Sequence, residues 1–414
     1  MKRFLTVLFL VLSCASAWTQ GLEDWYAAVS EAAGLDQNAG LTTFLTLIIP
    51  PGGMYQGMAT AYSAVVKDSG YLEANPAGSA LLKDTELSVY HNDWIGDSRL
   101  EGVVFTIRQG DLGLGAGAKL LYIPFDAVDN WGNRYMNSWS NSYAKGYYTE
   151  FIGTLNAAYT FFGNYYFHGV TLGTNLKFAQ RGVPDAIARD QSAIGVMADF
   201  GALTKVNFAK FYPSRERNMA FSAVLKNIGP PVMGDPLPSS FVLGMAYSPI
   251  RPLTLSVDGT FPMNLKDSAL SESPSVATGM NLAMTTFWAI QSGIDFKIGR
   301  PRATMGSTVS LDKLTLNVSY VIDLMTTVGL PDRLAVEVKI DLGDLGRQEA
   351  EDRARELYLN GLDAYAKGNL EEAVAQWDKA LQILPTFLPA KELRDTAQKA
   401  IELRNRMQDN QKIE

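Results

Sequence analysis

Residues 314–323 read LTLNVSYVID, a stretch in which apolar and polar residues alternate along most of its length. The same two-residue period recurs at 112–122, 166–178 and 334–342. Strands show this pattern when one side meets oil or a core and the other side meets water. The region from residue 85 to residue 342 is therefore predicted to consist mainly of β-strands.

About fourteen alternating segments can be placed in this region. Most are near the ~10 residues that a tilted strand needs to cross a bilayer. The predicted spans are 85–94, 100–108, 112–123, 148–162, 165–180, 192–204, 217–227, 240–248, 251–261, 275–285, 286–298, 302–311, 313–323 and 333–342.

The connections between these segments alternate in length along most of the chain. Tight turns at 109–111, 249–250 and 312–313 are interspersed with longer connections such as 124–147 and 262–274. Outer-membrane barrels have short periplasmic turns and longer outside loops, which produces this rhythm. A water-soluble β-sandwich is the alternative, but it would not require the turns of one side to be short. We therefore predict a mainly β protein with a closed, antiparallel transmembrane barrel over residues 85–343.

The amino terminus carries the features of an export signal. Residues 1–17 start with a basic pair, continue with an apolar run from 4 to 12, and end in the small residues Ala-Ser-Ala. This is the pattern of a secretory signal peptide, and the apolar run is too short to span a bilayer. Cys14 is the only cysteine, so cleavage after Ala17 would leave none for disulfides or metal thiolates. Lipidation of Cys14 is the second reading of the same residues.

The composition argues against several classes of function. A net charge of −7 gives no basic footprint for nucleic acid. Two histidines, no nucleophile motif and no phosphate-binding loop predict a protein that is not an enzyme and binds no cofactor or metal. An outer-membrane lipase remains the catalytic alternative. By contrast, 18 tyrosines, 19 phenylalanines and 36 glycines in an exported chain suit a barrel in contact with outer-membrane lipid.

Residues 18–84 are predicted to form an N-terminal helix and a compact plug inside the barrel. Within residues 52–78, small residues let a backbone pack closely while larger residues supply apolar surface, which makes the latter candidates for ligand contact: Met54, Tyr55, Met58, Tyr62 and Tyr71. The turn that would anchor the plug to the first strand consists of Asn75, Pro76 and Gly78. Gly78 is included because glycine accepts a positive φ. A generic capping turn is the alternative for Asn75 and Pro76.

This plug region resembles a known family. Gly-Met-Ala-x-Ala from residue 57, followed by Asn-Pro-Ala-Gly at 75–78, is similar to the N-terminal hatch of FadL-type outer-membrane transporters of long-chain fatty acids. The fuller form, from residue 57 to residue 78, most resembles a set of paralogous spirochaete (treponemal) FadL-like proteins. The resemblance covers residues ~50 to 342, and it implies a fourteen-stranded barrel with a lumenal plug.

After residue 343 the period becomes helical and the chain more highly charged. Residues 354–385 resemble one tetratricopeptide repeat (TPR), and the positions that carry its spacing are Leu357, Gly361, Gly368, Ala373, Trp377, Ala380 and Pro385. Residues 388–408 are predicted to add a third helix. We therefore expect residues 344–414 to form a small periplasmic TPR-like helical domain, with a solvated coiled tail as the alternative.

Three functions fit these observations. The resemblance implies plug-gated diffusion of long-chain fatty acids or similar hydrophobic small molecules across the outer membrane. A docking or secretion-accessory barrel is the alternative, since helical repeats present binding surfaces and residues 347–414 could recruit a periplasmic protein. A mainly structural or antigenic barrel is the third.

Overall fold

The computed structural model describes residues 36, 38, 40–94, 98–126, 145–163, 167–184, 190–214, 216–298, 300–324 and 333–411. The predicted signal peptide at 1–17, including Cys14, lies outside these residues. In the part of the chain that is described, no helix is both long enough and apolar enough to cross a membrane.

Fourteen antiparallel strands close into one barrel, in which each strand pairs with its sequence neighbours and β1 pairs with β14. The predicted fold class and number of strands are thereby confirmed. The strands are β1 (Glu86–Asp93), β2 (Arg99–Gln109), β3 (Leu112–Asp126), β4 (Lys145–Phe161), β5 (Val170–Gly182), β6 (Ala193–Val206), β7 (Met219–Ile228), β8 (Ser239–Tyr247), β9 (Leu253–Met263), β10 (Ser275–Ala283), β11 (Trp288–Phe296), β12 (Arg302–Leu311), β13 (Leu314–Asp323) and β14 (Arg333–Asp341).

Closure leaves no free sheet edge among these strands. Leu87 pairs with Ile340, and Val89 pairs with Val338, where the first strand meets the last. Because a closed barrel satisfies every ladder hydrogen bond, it is one of the two architectures that can span a bilayer. The strand β5 begins at Val170, later than the predicted residue 165, since Gly169 adopts a left-handed backbone (φ 87°) that interrupts the extended chain.

Side-chain polarity is inverted relative to that of a soluble protein. Apolar residues such as Leu155 and Leu176 point outward and are 63% and 56% exposed. Polar neighbours such as Asn156 and Asn175 point inward and are buried. The alternation predicted from sequence is therefore apolar toward lipid and polar toward the lumen, which is the arrangement of transmembrane barrels.

The two ends of the barrel differ in their connections. One end, here called the turn end, carries the tight turns 110–111 and 312–313 and, as an exception, the long β6–β7 connection, together with the start of β1 and the end of β14. The other end, here called the loop end, carries the connections 229–238 and 264–274, the second of which contains a short 3-10 helix, Ser268–Leu270. Both termini of the barrel therefore emerge at the turn end.

Residues 42–82, here called the inner segment, lie inside the barrel. The segment contains α1 (Gly53–Gly57), α2 (Tyr71–Ala74) and two 3-10 helices, Leu45–Ile48 and Pro76–Leu81. Thr46 contacts Glu150 near the loop end, and the carbonyl of Leu82 accepts from Arg108 at the turn end. The inner segment therefore runs through the lumen from the loop end to the turn end.

Three helices follow the barrel: α3 (Arg347–Ala366), α4 (Leu370–Ile383) and α5 (Leu388–Gln411). Trp377 and Ala373 of α4 are fully buried in a cluster that also contains Ala364 of α3 and Ala397 of α5. The helices thus share an apolar core of their own. Their equivalence to a TPR stays a prediction.

Candidate functional site in the barrel lumen

Most of the predicted ligand-contact residues of the inner segment are buried and do not face the lumenal space. Met58, Tyr62 and Tyr71 are fully buried, Tyr55 is nearly so, and Met54 packs at the edge of the same cluster as Tyr55. The rings of Tyr55 and Tyr62 meet edge to face, with centroids 6.1 Å apart. Of these five residues, Tyr55 alone is among those that line the large cavity described below.

The hydroxyls of Tyr62 and Tyr71 have hydrogen-bond partners. Tyr62 donates to Oδ1 of Asp68 over 2.8 Å, and the hydroxyl of Tyr71 lies 2.9 Å from Oγ1 of Thr106 on β2. Both hydroxyls are therefore hydrogen-bonded inside the lumen.

Glycines in the wall make room for the inner segment. A Cβ on Gly113 would overlap the backbone of Ser79, and one on Gly115 would overlap the hydroxyl of Tyr71. The same holds for Gly173 opposite the backbone of Pro76. Glycine at alternate positions of β3 is visible in the sequence, but its cause, close approach of a second chain segment, appears only in the structure.

The predicted anchor residues are buried and contact β4, β5 and β6. The Asn75 amide donates to the carbonyl of Ala202 on β6, and the carbonyl of Pro76 accepts from Asn156 on β4. Oδ1 of Asn75 also caps the following 3-10 helix by accepting from the Ala77 N–H. These contacts join the turn to β4 and β6, and its anchoring to the first strand stays a prediction.

Gly78 is required by space rather than by backbone conformation. Its φ is not in the left-handed region, contrary to the expectation from sequence. A Cβ at this position would overlap the Cβ of Tyr71. The physical reason for glycine here is therefore the close approach of two turns of the inner segment.

Charged and amide side chains of the wall satisfy the backbone of the inner segment. Oδ2 of Asp258 on β9 accepts from the N–H groups of Tyr62 and Ser63, over 3.1 and 2.9 Å. Asn175 on β5 donates to the carbonyl of Leu72. A non-helical backbone at membrane depth is tolerated when protein groups satisfy it in this way.

Further wall charges pair within the lumen. Lys119 Nζ lies 3.1 Å from Oε1 of Glu73, and Lys177 Nζ lies 2.6 Å from Oδ2 of Asp199. Sequence analysis did not single out these residues, although charges at inward-facing positions of membrane strands are a usable signal of a lumenal site. The Lys119–Glu73 pair ties the inner segment to β3, whereas the Lys177–Asp199 pair joins β5 to β6 within the wall.

A cavity of about 720 Å³ lies between the inner segment and the loop end. Its apolar lining comes largely from the start of the inner segment, with Leu45, Ile48 and Ile49, and includes Trp94 and Leu121. Its charged lining includes Glu73, Lys177, Lys226, Asp258, Asp295, Arg300 and Arg302. The cavity is thus amphipathic, large enough for a small organic ligand, and has Tyr55 in its wall.

Contacts of Asn38 and Gly40 with the β9–β10 connection border the same cavity. Nδ2 of Asn38 donates to the carbonyls of Ala269 and Ser271, and the N–H of Gly40 donates to Glu272. These contacts hold the start of the inner segment against the β9–β10 connection at the loop end.

No metal site is visible in the described ranges, where no three His, Cys, Asp or Glu residues gather in a geometry that could hold an ion. The lumen instead combines donors, acceptors and apolar surface around an enclosed space. This arrangement can bind and orient a small molecule.

The predicted repeat positions of the C-terminal helices lie together. A Cβ on Gly361 would overlap the Trp377 ring, and Nε1 of Trp377 donates to the carbonyl of Tyr358 over 3.2 Å. Gly368 has φ 81° at the turn between α3 and α4, Ala380 is fully buried, and Leu357 packs against the same cluster. Pro385 follows the end of α4.

The fold and its lumen define a membrane-spanning β-barrel with a chain segment threaded through it. The model of the Uncharacterised protein family (UPF0164) matches residues 23–344, and the chain therefore belongs to that family. A UPF0164 protein of Treponema pallidum (strain Nichols) is 28% identical over 391 residues, which cover 92% of this chain and 89% of that protein. A second from the same organism is 24% identical over 399 residues, covering 88% and 77%. The predicted kinship with treponemal paralogues is confirmed.

Solved structures of channel proteins are also similar. The CymD monoaromatic hydrocarbon channel aligns with TM-score 0.46 at 11% identity, covering 70% of this chain and 97% of that one. The Pseudomonas putida toluene transporter TodX aligns with TM-score 0.46 at 11% identity, covering 70% and 96%. A Pseudomonas aeruginosa FadL homologue aligns with TM-score 0.44 at 11% identity, covering 70% and 98%.

Proposed function

We propose that this protein is an outer-membrane channel through which hydrophobic small molecules, with long-chain fatty acids as the first candidates, diffuse under the control of the inner segment acting as a plug. The observation that carries this proposal is the amphipathic cavity of about 720 Å³ between the inner segment and the loop end of a closed, lipid-facing barrel. An apolar ligand gains about 0.8 kcal/mol for each CH₂ that leaves water, so the wall formed by Leu45, Ile48 and Ile49 would retain it.

The orientation follows the connection lengths. In outer-membrane barrels the short turns face the periplasm and the longer loops face outward. The cavity would then receive ligand from outside, and the helices α3–α5 would lie in the periplasm as a domain spanning residues 344–414. Residues 85–343 would be the barrel, and the exported chain would start after residue 17.

Passage requires the inner segment to move. Met58, Tyr62 and Tyr71 are buried against the wall, so they would contact ligand only after a shift that opens a path toward the turn end. The turn at Asn75 and Pro76, fixed to β4 and β6, would stay in place during this shift. The wall also holds the segment by hydrogen bonds, such as those of Asp258 and Asn175, and a rearrangement can exchange these for hydrogen bonds to water at modest cost.

A binding measurement tests the cavity directly. Ile48 lines the cavity and is 52% exposed, so Ile48→Glu places a charge in its apolar wall. We expect about tenfold weaker binding of a labelled apolar ligand, since burying one large aliphatic side chain is worth about 1.5–3 kcal/mol. Leu265→Glu is the matched control, because Leu265 is equally exposed, at 55%, and is not part of the cavity wall. Equal affinities for the two variants would remove the support for a ligand cavity.

A docking role is the second candidate, and exposed apolar residues on the C-terminal helices favour it. Leu403 and Met407, one turn apart on α5, are 61% and 65% exposed, and Leu359 on α3 is also exposed. Such positions suit contact with a periplasmic protein. Capture of a stoichiometric partner that depends on Leu403 and Met407, with no ligand bound in the lumen, would favour this function over transport.

A further inference from the structure

Two arginines lie against one tryptophan at the loop end of the barrel. The guanidinium carbon of Arg333, at the start of β14, is 4.6 Å from the centroid of the Trp94 ring. That of Arg302, at the start of β12, is 5.9 Å from the same centroid. Trp94 and Arg302 both line the cavity, and Arg333 is only 2% exposed. Trp94 and Arg302 therefore form part of the cavity wall, and Arg333 lies directly behind Trp94.

Several donors of this cluster have no acceptor in the described part of the chain. Arg333 reaches Asp323 through one nitrogen, over 3.2 Å. Its Nε and second terminal nitrogen, and the Nε of Arg302, are buried without a hydrogen-bond partner among the described residues. The Trp94 face attracts a cation but offers no lone pair to an N–H group. Buried donors without partners are rare in folded proteins and call for a specific explanation.

The local charge also favours an added anion. Arg302 and Arg300 are like-charged neighbours of Arg333. Two described carboxylates lie near these guanidinium groups. Asp323 pairs with Arg333, and Asp295 lies opposite Arg302 in the β11–β12 register. Repulsion between guanidinium groups in a poorly hydrated site falls when an anion lies between them. Guanidinium geometry matches the oxygens of a carboxylate or a phosphate in two-point contacts.

We propose that Arg302, Arg333 and Trp94 form an oxyanion-binding site in the cavity wall, which takes a carboxylate- or phosphate-type group. The oxyanion is either the head group of an amphiphile whose chain lies along Leu45 and Ile48, or a free inorganic ion. The first form rests on the proposed function, whereas the second does not. In both forms the ligand supplies the acceptors that the buried N–H groups lack.

The test compares three probes on the purified full-length protein: dodecyl phosphate, dodecanol and inorganic phosphate. Arg302→Gln and Arg333→Gln should each weaken dodecyl phosphate binding by roughly tenfold or more, the usual effect of losing a charged hydrogen bond, and leave dodecanol binding unchanged. Arg99→Gln is the matched control, since Arg99 is an arginine at the same end of the barrel whose side chain is exposed and pairs with Asp93. Heat-modifiable migration of each variant confirms that its barrel is folded.

The outcomes separate the two proposals. If inorganic phosphate binds the parent and its binding falls in both arginine variants, the oxyanion site stands even when neither dodecyl compound binds and the transport function fails. If the dodecyl phosphate affinity falls while that of dodecanol holds, the site recognises a head group. The inference is overturned if both variants bind both phosphates like the parent, or if they lose dodecanol and dodecyl phosphate equally.

Discussion

The hydroxyl of Tyr71 occupies the space that a Cβ on Gly115 would need, and it lies 2.9 Å from Oγ1 of Thr106. A side chain of the inner segment therefore packs against a wall position that has no side chain. The wall and the inner segment are complementary in shape here, because any larger residue at Gly115 would displace the Tyr71 ring. Overpacking of this kind typically costs about 1–3 kcal/mol.

Gly115→Val should therefore unseat the inner segment while the barrel still forms. The expected result is a rise in passage of small polar dyes through proteoliposomes, with heat-modifiable migration retained. Ala116→Val, at the next residue and facing outward, is the control and should behave like the parent. A tight, parent-like lumen in the Gly115 variant would show that Tyr71 does not seal the path.

Asp258→Ala should loosen the middle of the inner segment. The change leaves the buried N–H groups of Tyr62 and Ser63 without their acceptor, at a cost of about 1–3 kcal/mol for each group. Faster hydrogen exchange at residues 60–66 of the detergent-solubilised protein is the measurement. Asp258→Asn, which keeps one acceptor oxygen, should give a smaller effect, and identical exchange in all three proteins would contradict the assignment.

The strands could be predicted from the sequence because each has one face in lipid and one in the lumen. That difference in solvent produces a two-residue period, as at 314–323, which locates the strands, while the resemblance to a fourteen-stranded family supported their number. The placement of Met58, Tyr62 and Tyr71 could not be obtained in the same way. An irregular segment has no period, so its composition shows that it is packed but not which residues face the wall and which face the cavity.

The wall partners were missed for a related reason. Asp258 and Asn175 occupy inward positions that a polar lumen would explain without any bound segment. Only the path of the inner segment shows that they satisfy its backbone. The Arg302–Trp94–Arg333 cluster joins the starts of β12 and β14 to the residue that follows β1, and closure of the barrel brings them together.

Acidification should destabilise the protein through His168. The pKa of His168 is lowered from 6.5 to about 4, mainly by burial and also by the nearby Lys205, Arg217 and Arg108. Between these two pKa values the unfolded chain binds a proton at His168 and the folded chain does not. The free energy of unfolding therefore falls as the pH drops from about 6.5 to about 4. His168→Gln should flatten this part of the pH profile in urea unfolding. An unchanged slope would show that His168 takes up its proton equally in both states.

Trp377→Ala should open the C-terminal helices and spare the barrel. Trp377 is fully buried and fills the space that Gly361 leaves, so its loss should cost about 3–5 kcal/mol in that domain. Limited proteolysis of the full chain should then cut within residues 347–408 while the barrel keeps its heat-modifiable migration. Leu403→Ala, at an exposed site, is the control. Loss of the folded barrel in the Trp377 variant would mean that the two parts fold as one unit.

Locking the inner segment to the wall tests the central claim most directly. Oγ of Ser63 lies 2.8 Å from Oγ of Ser222 on β7, so Ser63→Cys with Ser222→Cys should form a disulfide across that contact. As a control, Ser310→Cys with Thr315→Cys joins β12 to β13 within the wall, where the hydroxyl oxygens are 3.2 Å apart. If the inner segment gates passage, oxidation of the first pair should stop the flux of a labelled apolar ligand and reduction should restore it, while the control pair conducts in both states. Undiminished flux through the oxidised Ser63–Ser222 pair would contradict the account.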